Sequence, residues 1–195
     1  MVKVAVLISG GGTNLEAILQ AKEAGQIPSG EMALVLSSSP TAFGLTRAKN
    51  HNVPTAVVEK GDLSRDDFAT KITEVLEAHH IDCIVLAGFM VVLPQSFTAH
   101  WADRIINVHP SLIPAFCGDG FYGLRVHQAA LDYGVKVTGA TVHLVNEITD
   151  GGKILLQKAV EIQDSDTPET LQKRVMEQAE WQILPQAVEM LCKSL

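Results

Sequence analysis

Apolar and polar positions alternate along this chain in blocks that predict strands and helices in turn. Five apolar runs are rich in Val, Ile and Leu: residues 2–8, 32–36, 54–58, 82–87 and 104–108. Continuous runs of this length are typical of strands that are buried on both faces of a parallel sheet. The sequence therefore predicts at least five such strands.

Between these runs, the apolar residues have the spacing of helices. Thr13 and Glu16 have the spacing of a capping box, with Thr13 as the N-cap. Ser64 is the predicted cap of a later helix, and residues 42–49 and 124–131 predict two more. Strands that alternate with helices in this way indicate an α/β fold.

The last third of the chain has a different pattern. Residues 135–145 alternate and residues 154–162 return as a second strand, which predicts an antiparallel hairpin. Thr167-Pro168-Glu169 starts the last helix, and Pro185 is predicted to kink or end it. We expect one domain, 1–195, with a Rossmann-like, mostly parallel sheet, helices on both faces and an antiparallel carboxy-terminal hairpin.

Composition narrows the class of protein. The 195 residues are 47% apolar and 19% charged, with a net charge of −7. An acidic surface argues against nucleic acid as the main partner, and no apolar run is long enough to cross a membrane. The three cysteines lack metal-site spacing and suit a reducing cytoplasm. We expect a cytoplasmic protein with no metal.

Ser9 to Gly12 forms a glycine turn between the first strand and the first helix. Free N–H groups at such a turn, together with the helix dipole, favour an anion. A dinucleotide fingerprint would need glycine in place of Leu15, and a Walker A loop would need Gly-Lys-Ser/Thr. The overall acidity and the lack of a neighbouring Lys or Arg predict that backbone groups hold the anion. A tight turn without a ligand stays open as the alternative.

Asn107 and His109 end the fifth predicted strand, before Pro110 and Pro114 stop regular structure. Residues two apart in a strand point to the same side, so both side chains could face one cavity at the carboxyl end of the sheet. An amide can stabilise an oxyanion, and an imidazole transfers protons near neutral pH. A strand end with an Asx-type turn and a satisfied histidine is the alternative.

Three stretches together resemble the folate-dependent formyltransferases. They are Asn-x-His-Pro-Ser-Leu-x-Pro at 107–114 with Asp150-Gly151-Gly152 some forty residues later, Val6 to Leu15, and Leu86 to Met90. The resemblance covers essentially the whole chain. It implies transfer of the formyl group of 10-formyltetrahydrofolate to the amine of glycinamide ribonucleotide, by a monomer or homodimer.

The resemblance also implies roles for individual residues. Catalysis falls to Asn107, His109 and Asp150, with Asp150 favouring the imidazolium form of His109. The remaining residues would bind the two substrates: the ribonucleotide by Gly12, Thr13, Asn14 and Glu180, and the folate by Arg65, Met90, Val91, Val92, Leu93 and Asn107. Residues 1–100 would form a phosphate-binding half, and residues 101–195 a catalytic and folate-binding half.

Considered without the resemblance, several of these positions have simpler explanations. Arg65 and Glu180 would be solvated charges, and residues 90–93 would be core that continues into a loop. His143 would be a structural histidine. Cys117 departs from the family pattern, because proline commonly precedes the glycine there, and the order of the loop at 115–123 depends on it.

Three other functions compete. Methionyl-tRNA formyltransferase would add a carboxy-terminal nucleic-acid-binding domain and a basic surface, whereas this chain is acidic. Formyltetrahydrofolate hydrolase would add an amino-terminal regulatory domain, whereas this chain starts at the first strand. A non-catalytic nucleotide-binding module would leave Asn107, His109 and Asp150 without a purpose.

Overall fold

Seven strands form a single sheet. The structure is a computed structural model that describes residues 1–195. The strands are β1 (Val2–Ile8), β2 (Gly30–Ser37), β3 (Thr55–Val57), β4 (Cys83–Leu86), β5 (Ile105–His109), β6 (Val137–Leu144) and β7 (Ile154–Glu161). Their order is β3-β2-β1-β4-β5-β6-β7. The first five are parallel, and β6 and β7 are antiparallel to their neighbours, as predicted.

Seven helices cover the sheet. They are α1 (Thr13–Glu23), α2 (Gly44–Asn50), α3 (Arg65–Ala78), α4 (Gln95–His100), α5 (Leu124–Tyr133), α6 (Pro168–Val175) and α7 (Trp181–Ser194). A π turn, Met176–Glu180, joins α6 to α7. The predicted α/β fold class is confirmed. The division into a phosphate-binding half at 1–100 and a catalytic half at 101–195 stays a prediction.

Two apolar cores lie on opposite faces of the sheet, because successive side chains of β1 point to opposite sides. Val4, Val6 and Ile8 belong to a cluster of 30 buried residues that also includes side chains of α1 and α7. Ala5 and Leu7 belong to a cluster of 15 that includes side chains of α3. Burial on both faces explains why the parallel strands have continuous apolar sequences.

Strand order reverses between β1 and β4. The chain runs outward from β1 to β2 and β3, then returns to β4 and β5 on the other side. Ligands of open α/β sheets bind at the carboxyl ends of the strands beside such a reversal. Leu7, Leu86 and Asn107 lie in one register across β1, β4 and β5. Two strand spacings therefore separate the end of β1 from Asn107, roughly 10 Å.

The predicted capping box at Thr13 is wrong. The N-cap of α1 is Gly12, with φ of 71° in the left-handed region, and no side chain caps this end. Thr13 is the first helical residue, and the carboxylate of Glu16 contacts Arg47 and His51 instead of the backbone. Glycine takes the N-cap here because its backbone conformation disfavours a side chain. The cap at Ser64 is confirmed: its hydroxyl accepts from the N–H of Asp67 at 3.0 Å.

Two further details differ from expectation near the ends of helices. Pro185 lies inside α7 and does not end it. The π turn just before α7 is wider than an α turn and already interrupts the regular hydrogen-bond ladder there, and that eases the loss of one backbone donor at Pro185. The short helix α4 was not predicted. The predicted start of the last helix is confirmed, with Thr167 as N-cap and Pro168 as the first residue.

None of the helices combines the length and the apolar character needed to cross a membrane.

Candidate active site

His109 and Asp150 meet at the carboxyl end of β5. His109 Nδ1 lies 3.5 Å from Asp150 Oδ2, and their side chains are 6% and 8% exposed. The other ring nitrogen, Nε2, donates to the carbonyl of Phe116 at 2.8 Å. An oxygen atom therefore lies beside each ring nitrogen of His109.

Asn107 lies opposite His143 in the antiparallel pairing of β5 with β6. Asn107 Nδ2 donates to His143 Nε2 at 3.2 Å, and His143 Nδ1 donates to the carbonyl of Leu144 at 2.8 Å. His143 Nε2 also lies 3.6 Å from Asp150 Oδ1. His143 therefore orients the Asn107 amide, and Asp150 lies between the two histidines.

The loop after β6 brings Asp150 into this position. Asp150 has φ of 55°, a left-handed conformation that aspartate tolerates better than most residues. A Cβ at Gly151 would lie 2.5 Å from Ile148 Cγ2, and one at Gly152 would lie 1.7 Å from the carbonyl oxygen of Leu144. The two glycines after Asp150 are thus required by close packing of the loop.

Opposing effects set the charge of Asp150. Burial alone would raise the pKa of its carboxyl group. The neighbouring ring of His143, the N–H of Gly118 and the neighbouring His109 together outweigh burial and lower that pKa below its ordinary value. Asp150 is therefore a carboxylate at neutral pH, in spite of its burial.

The loop at 115–123 closes over the His109–Asp150 pair. The N–H of Gly118 donates to Asp150 Oδ2 at 2.9 Å, and Thr149 Oγ1 donates to Asp119 Oδ1 at 3.2 Å. The thiol of Cys117, where the family commonly has proline, donates to the carbonyl of Pro114 at 3.3 Å. Hydrogen bonds to both neighbouring segments thus fix the loop where proline would have stiffened it.

Thr141 fastens the segment that follows His109. Its hydroxyl donates to the carbonyl of Ser111 at 2.7 Å and accepts from the N–H of Ile113 at 3.1 Å. The hydroxyl of Ser111 in turn donates to the carbonyl of Ala115 at 2.6 Å. This buried network explains how a segment with two prolines takes one defined path beside the site.

The glycine turn after β1 has free donors. The backbone N–H groups of Gly10, Gly11 and Gly12 donate to no protein acceptor. Their position at the start of α1 makes them a natural anion site. A Cβ at Gly12 would lie 2.7 Å from the Cα of Gly44, so glycine is also needed there to let α2 approach.

The expectation that no cation adjoins this turn is wrong. Arg47, on α2, donates through Nε to the carbonyl of Gly11 at 2.9 Å, and its Nη1 lies 3.1 Å from Glu16 Oε2. Sequence distance hid this arginine, because the close approach of α2 through Gly44 brings it to the turn. Its positive charge is partly neutralised by the ion pair with Glu16.

Asn14 and Glu180 meet although 166 positions separate them. Asn14 Nδ2 donates to Glu180 Oε2 at 2.7 Å, while Asn14 Oδ1 is buried without a partner. Glu180 is only 6% exposed, and burial raises the pKa of its carboxyl group to about 6. The π turn that ends at Glu180 turns this side chain towards α1.

The residues predicted to bind folate lie on the other side of the reversal point. Val91 and Leu93 pack against the smaller core, whereas Met90 and Val92 are 57% and 53% exposed. The N–H of Met90 donates to Ser9 Oγ at 2.9 Å, which ties this segment to the end of β1. Arg65 is exposed at the start of α3. Their predicted roles stay predictions.

The structure thus brings together Asn107, His109 and Asp150, and separately Asn14 with Glu180. Sequence reasoning missed His143, whose place in the site depends on the register of β5 with β6, and Arg47.

No group of three or more His, Cys, Asp or Glu side chains is arranged to hold a metal ion. A cavity of about 430 Å³ beside α1 is lined by Thr13, Glu16, Arg47 and Trp181, and lies apart from His109.

Comparison with known families gives one match. The family model described as formyl transferase matches residues 2–188. A phosphoribosylglycinamide formyltransferase of Haemophilus influenzae is 42% identical over 95% of this chain and 84% of its own length. The trifunctional purine biosynthetic protein adenosine-3 of Gallus gallus is 41% identical over 97% of this chain, which spans 18% of that protein.

Comparison with solved structures agrees with the comparison of sequences. The glycinamide ribonucleotide transformylase 1 of Symbiobacterium toebii has a TM-score of 0.92 and 39% sequence identity, over 100% of this chain and 89% of that one. Sequence and fold therefore match proteins of one kind along the whole length of the chain.

The buried carboxyl group of Glu180 predicts a pH-dependent stability. A carboxyl group whose pKa is raised from 4.5 to about 6 on folding stabilises the fold below pH 4.5, and this contribution is lost as pH rises through 6. At about pH 8, Glu180→Gln should therefore be more stable than the parent by roughly 2 kcal/mol, at about 1.4 kcal/mol per pKa unit. Urea denaturation at about pH 8 and pH 5 measures the difference, which should shrink at pH 5.

Glu177→Gln is the control for this prediction, because Glu177 lies on the same π turn but is exposed. It should change the free energy of unfolding little at either pH. A gain in Glu180→Gln that is equal at both values of pH would show that ionisation is not its cause.

Proposed function

We propose that this chain, which belongs to the formyl transferase family, transfers the formyl group of 10-formyltetrahydrofolate to the amine of glycinamide ribonucleotide. The products are formylglycinamide ribonucleotide and tetrahydrofolate, in purine biosynthesis. The observation that carries the proposal is the meeting of Asn107, His109 and Asp150 at the carboxyl end of β5. The relatives named above are enzymes of this kind.

The ribonucleotide would extend from the glycine turn to β5. Free N–H groups of Gly10 to Gly12, with Thr13 and Asn14 at the start of α1, would hold the phosphate, and Arg47 adds positive charge nearby. The reacting amine would then lie near Asn107, on the second strand along the sheet from β1. Glu180 and Asn14, joined by their hydrogen bond, would contact the glycinamide part.

Folate would lie along the segment after β4. Met90 and Val92 expose apolar surface to a flat ring, and Val91 and Leu93 anchor that surface on the core. Arg65, exposed at the start of α3, supplies a cation for the carboxylates of the folate. Asn107 would contact the formyl group of the folate through its amide.

The amine attacks the formyl carbon, and negative charge develops on the former carbonyl oxygen. Asn107 keeps one amide N–H for that oxygen, because the other is held by His143. His109 donates a second hydrogen bond through Nε2, once the formyl oxygen takes the place of the Phe116 carbonyl. Both groups are fixed before the reaction, which is how an oxyanion is stabilised efficiently.

Asp150 completes the proton movement. Its carboxylate stabilises the imidazolium of His109 and can accept, through a water, the proton that leaves the attacking nitrogen. The proton ends on the folate nitrogen as the carbon–nitrogen bond breaks. This scheme needs no metal, since Asn107 and His109 supply the charge stabilisation. We place the reaction in the cytoplasm, in a monomer or homodimer.

The proposal is tested by turnover of the folate with and without the amine. Tetrahydrofolate should form only when glycinamide ribonucleotide is present, since the amine is the nucleophile. A coupled spectroscopic assay of tetrahydrofolate measures this. Equal release of tetrahydrofolate without the amine would favour the hydrolase instead.

Gly11→Val tests the phosphate site. Gly11 has open space around its Cβ position and no left-handed φ, so the substitution should leave the fold intact. It places a side chain where the phosphate would lie, and the Michaelis constant for the ribonucleotide should rise at least tenfold, while that for the folate changes little. Steady-state kinetics with each substrate varied measures both. An equal loss for both substrates would show that the turn has only a structural role.

Asp150→Asn tests the proton relay. It keeps the size of the side chain but removes the charge beside His109, so kcat should fall about a hundred- to ten-thousand-fold. Binding of both substrates, measured by calorimetry, should change much less. Asp164→Asn is the matched control, because its side chain is 98% exposed and far along the chain after β7. Turnover of Asp150→Asn that equals the control would remove Asp150 from the mechanism.

A further inference from the structure

Two cysteines lie side by side at the end of the sheet opposite to the active site. Cys83 starts β4 and is paired with Val4 of β1, so both side chains point to the face covered by α7. Cys192, in the last turn of α7, packs onto the same face. A Cβ at Gly30 would lie 2.8 Å from Cys192 Sγ and 3.3 Å from Val4 Cγ2. Cys192 Sγ therefore lies above Gly30 and beside Val4, the residue whose strand partner is Cys83.

The two thiols interact with each other. The contact raises the pKa of the Cys83 thiol and lowers the pKa of the Cys192 thiol, so Cys192 is the sulfur that ionises first. Burial opposes ionisation at Cys192, as does the charge of Glu189, whereas the charge of Lys22 favours it. A thiolate is the nucleophilic form of cysteine, and Cys192 forms part of a cavity wall whereas Cys83 is fully buried, which assigns the attacking role to Cys192.

A cavity reaches Cys192 from the surface. Its volume is about 550 Å³, and Cys192 forms part of its wall together with Ser29, Asp82, Arg104 and Leu195. Although Cys192 is only 3% exposed, a molecule as small as hydrogen peroxide fits such a space. The wall also includes the last residue of the chain, where α7 ends, and helix ends fray.

We propose that Cys83 and Cys192 are a peroxide-reactive dithiol that forms a disulfide between β4 and α7. The Cys192 thiolate attacks one oxygen of the hydroperoxide and breaks the O–O bond, which gives a sulfenic acid and hydroxide. The sulfur of Cys83 then attacks Cys192 Sγ, and water leaves. Overall, two thiols lose two hydrogen atoms and one hydrogen peroxide becomes two waters.

The disulfide would act on stability and not on the chemistry of formyl transfer. It links Cys83 and Cys192, which are 109 positions apart, and a crosslink across so long a segment restricts the unfolded state strongly. It also fixes the end of α7 that lies farthest from Glu180. Reversible oxidation would therefore make the fold more resistant to unfolding under oxidative stress.

Peptide mapping of the oxidised protein tests the proposal. The reduced full-length chain is treated with hydrogen peroxide, denatured, alkylated and digested without reductant. A peptide pair joined through Cys83 and Cys192 should form within one chain, with the loss of two of the three free thiols. The melting temperature of the oxidised protein should rise by several degrees. Reduction should reverse both changes.

Three variants separate the pair from the remaining thiol. Cys117→Ser should still form the crosslink, whereas Cys83→Ala and Cys192→Ala should not, and their melting temperatures should not rise with peroxide. Oxidation confined to Cys117, crosslinks between separate chains, or three thiols still free after treatment would each overturn the proposal. None of these readouts depends on turnover, so the result is independent of the formyltransferase proposal.

Discussion

The antiparallel pairing of β5 with β6 is the constraint on which the site depends. The first five strands are parallel, so their carboxyl ends share one edge of the sheet. Because β6 runs the other way, it passes the carboxyl end of β5 first and ends beside Ile105, so that Thr141 comes opposite His109 and His143 opposite Asn107. The loop that follows β6 then delivers Asp150 beside both histidines.

Most of the fold was predictable because burial on both faces leaves a clear mark in the sequence. Strands β1 to β5 and the hairpin of β6 with β7 were found at nearly their observed bounds, since few other structures tolerate such apolar runs. The N-cap of α1 was misassigned by one residue, because Thr13 with Glu16 satisfies the local pattern of a capping box. The Glu16 carboxylate contacts Arg47 and His51 instead of capping the helix, and these tertiary contacts cannot be predicted from local sequence patterns.

At the site, too, local sequence patterns predicted some residues, whereas others depend on tertiary contacts. Asn107, His109 and Asp150 were assigned from short motifs, and the structure brings them together. The part played by His143 follows from strand register, and that of Arg47 follows from the close packing of Gly12 against Gly44. Neither relation is encoded by spacing along the chain. A single sequence therefore shows the residues that perform chemistry more readily than the residues that hold them in place.

Several unfavourable features of the chain lie where the substrates are expected. Phe116 and Asp150 have left-handed backbone conformations, and Glu180 is buried next to an Asn14 oxygen that lacks a partner. Each of these features costs stability, and such costs persist only where the surrounding structure fixes them. The surrounding structure here is the apolar sheet with a helix layer on each face.

A buried carboxylate at Glu180 is most easily explained if a ligand supplies the hydrogen bonds that the protein leaves open, because a merely structural position would accommodate glutamine at lower cost. The π turn supports this explanation, since such turns occur often at functional sites and this one aims Glu180 at the first turn of α1.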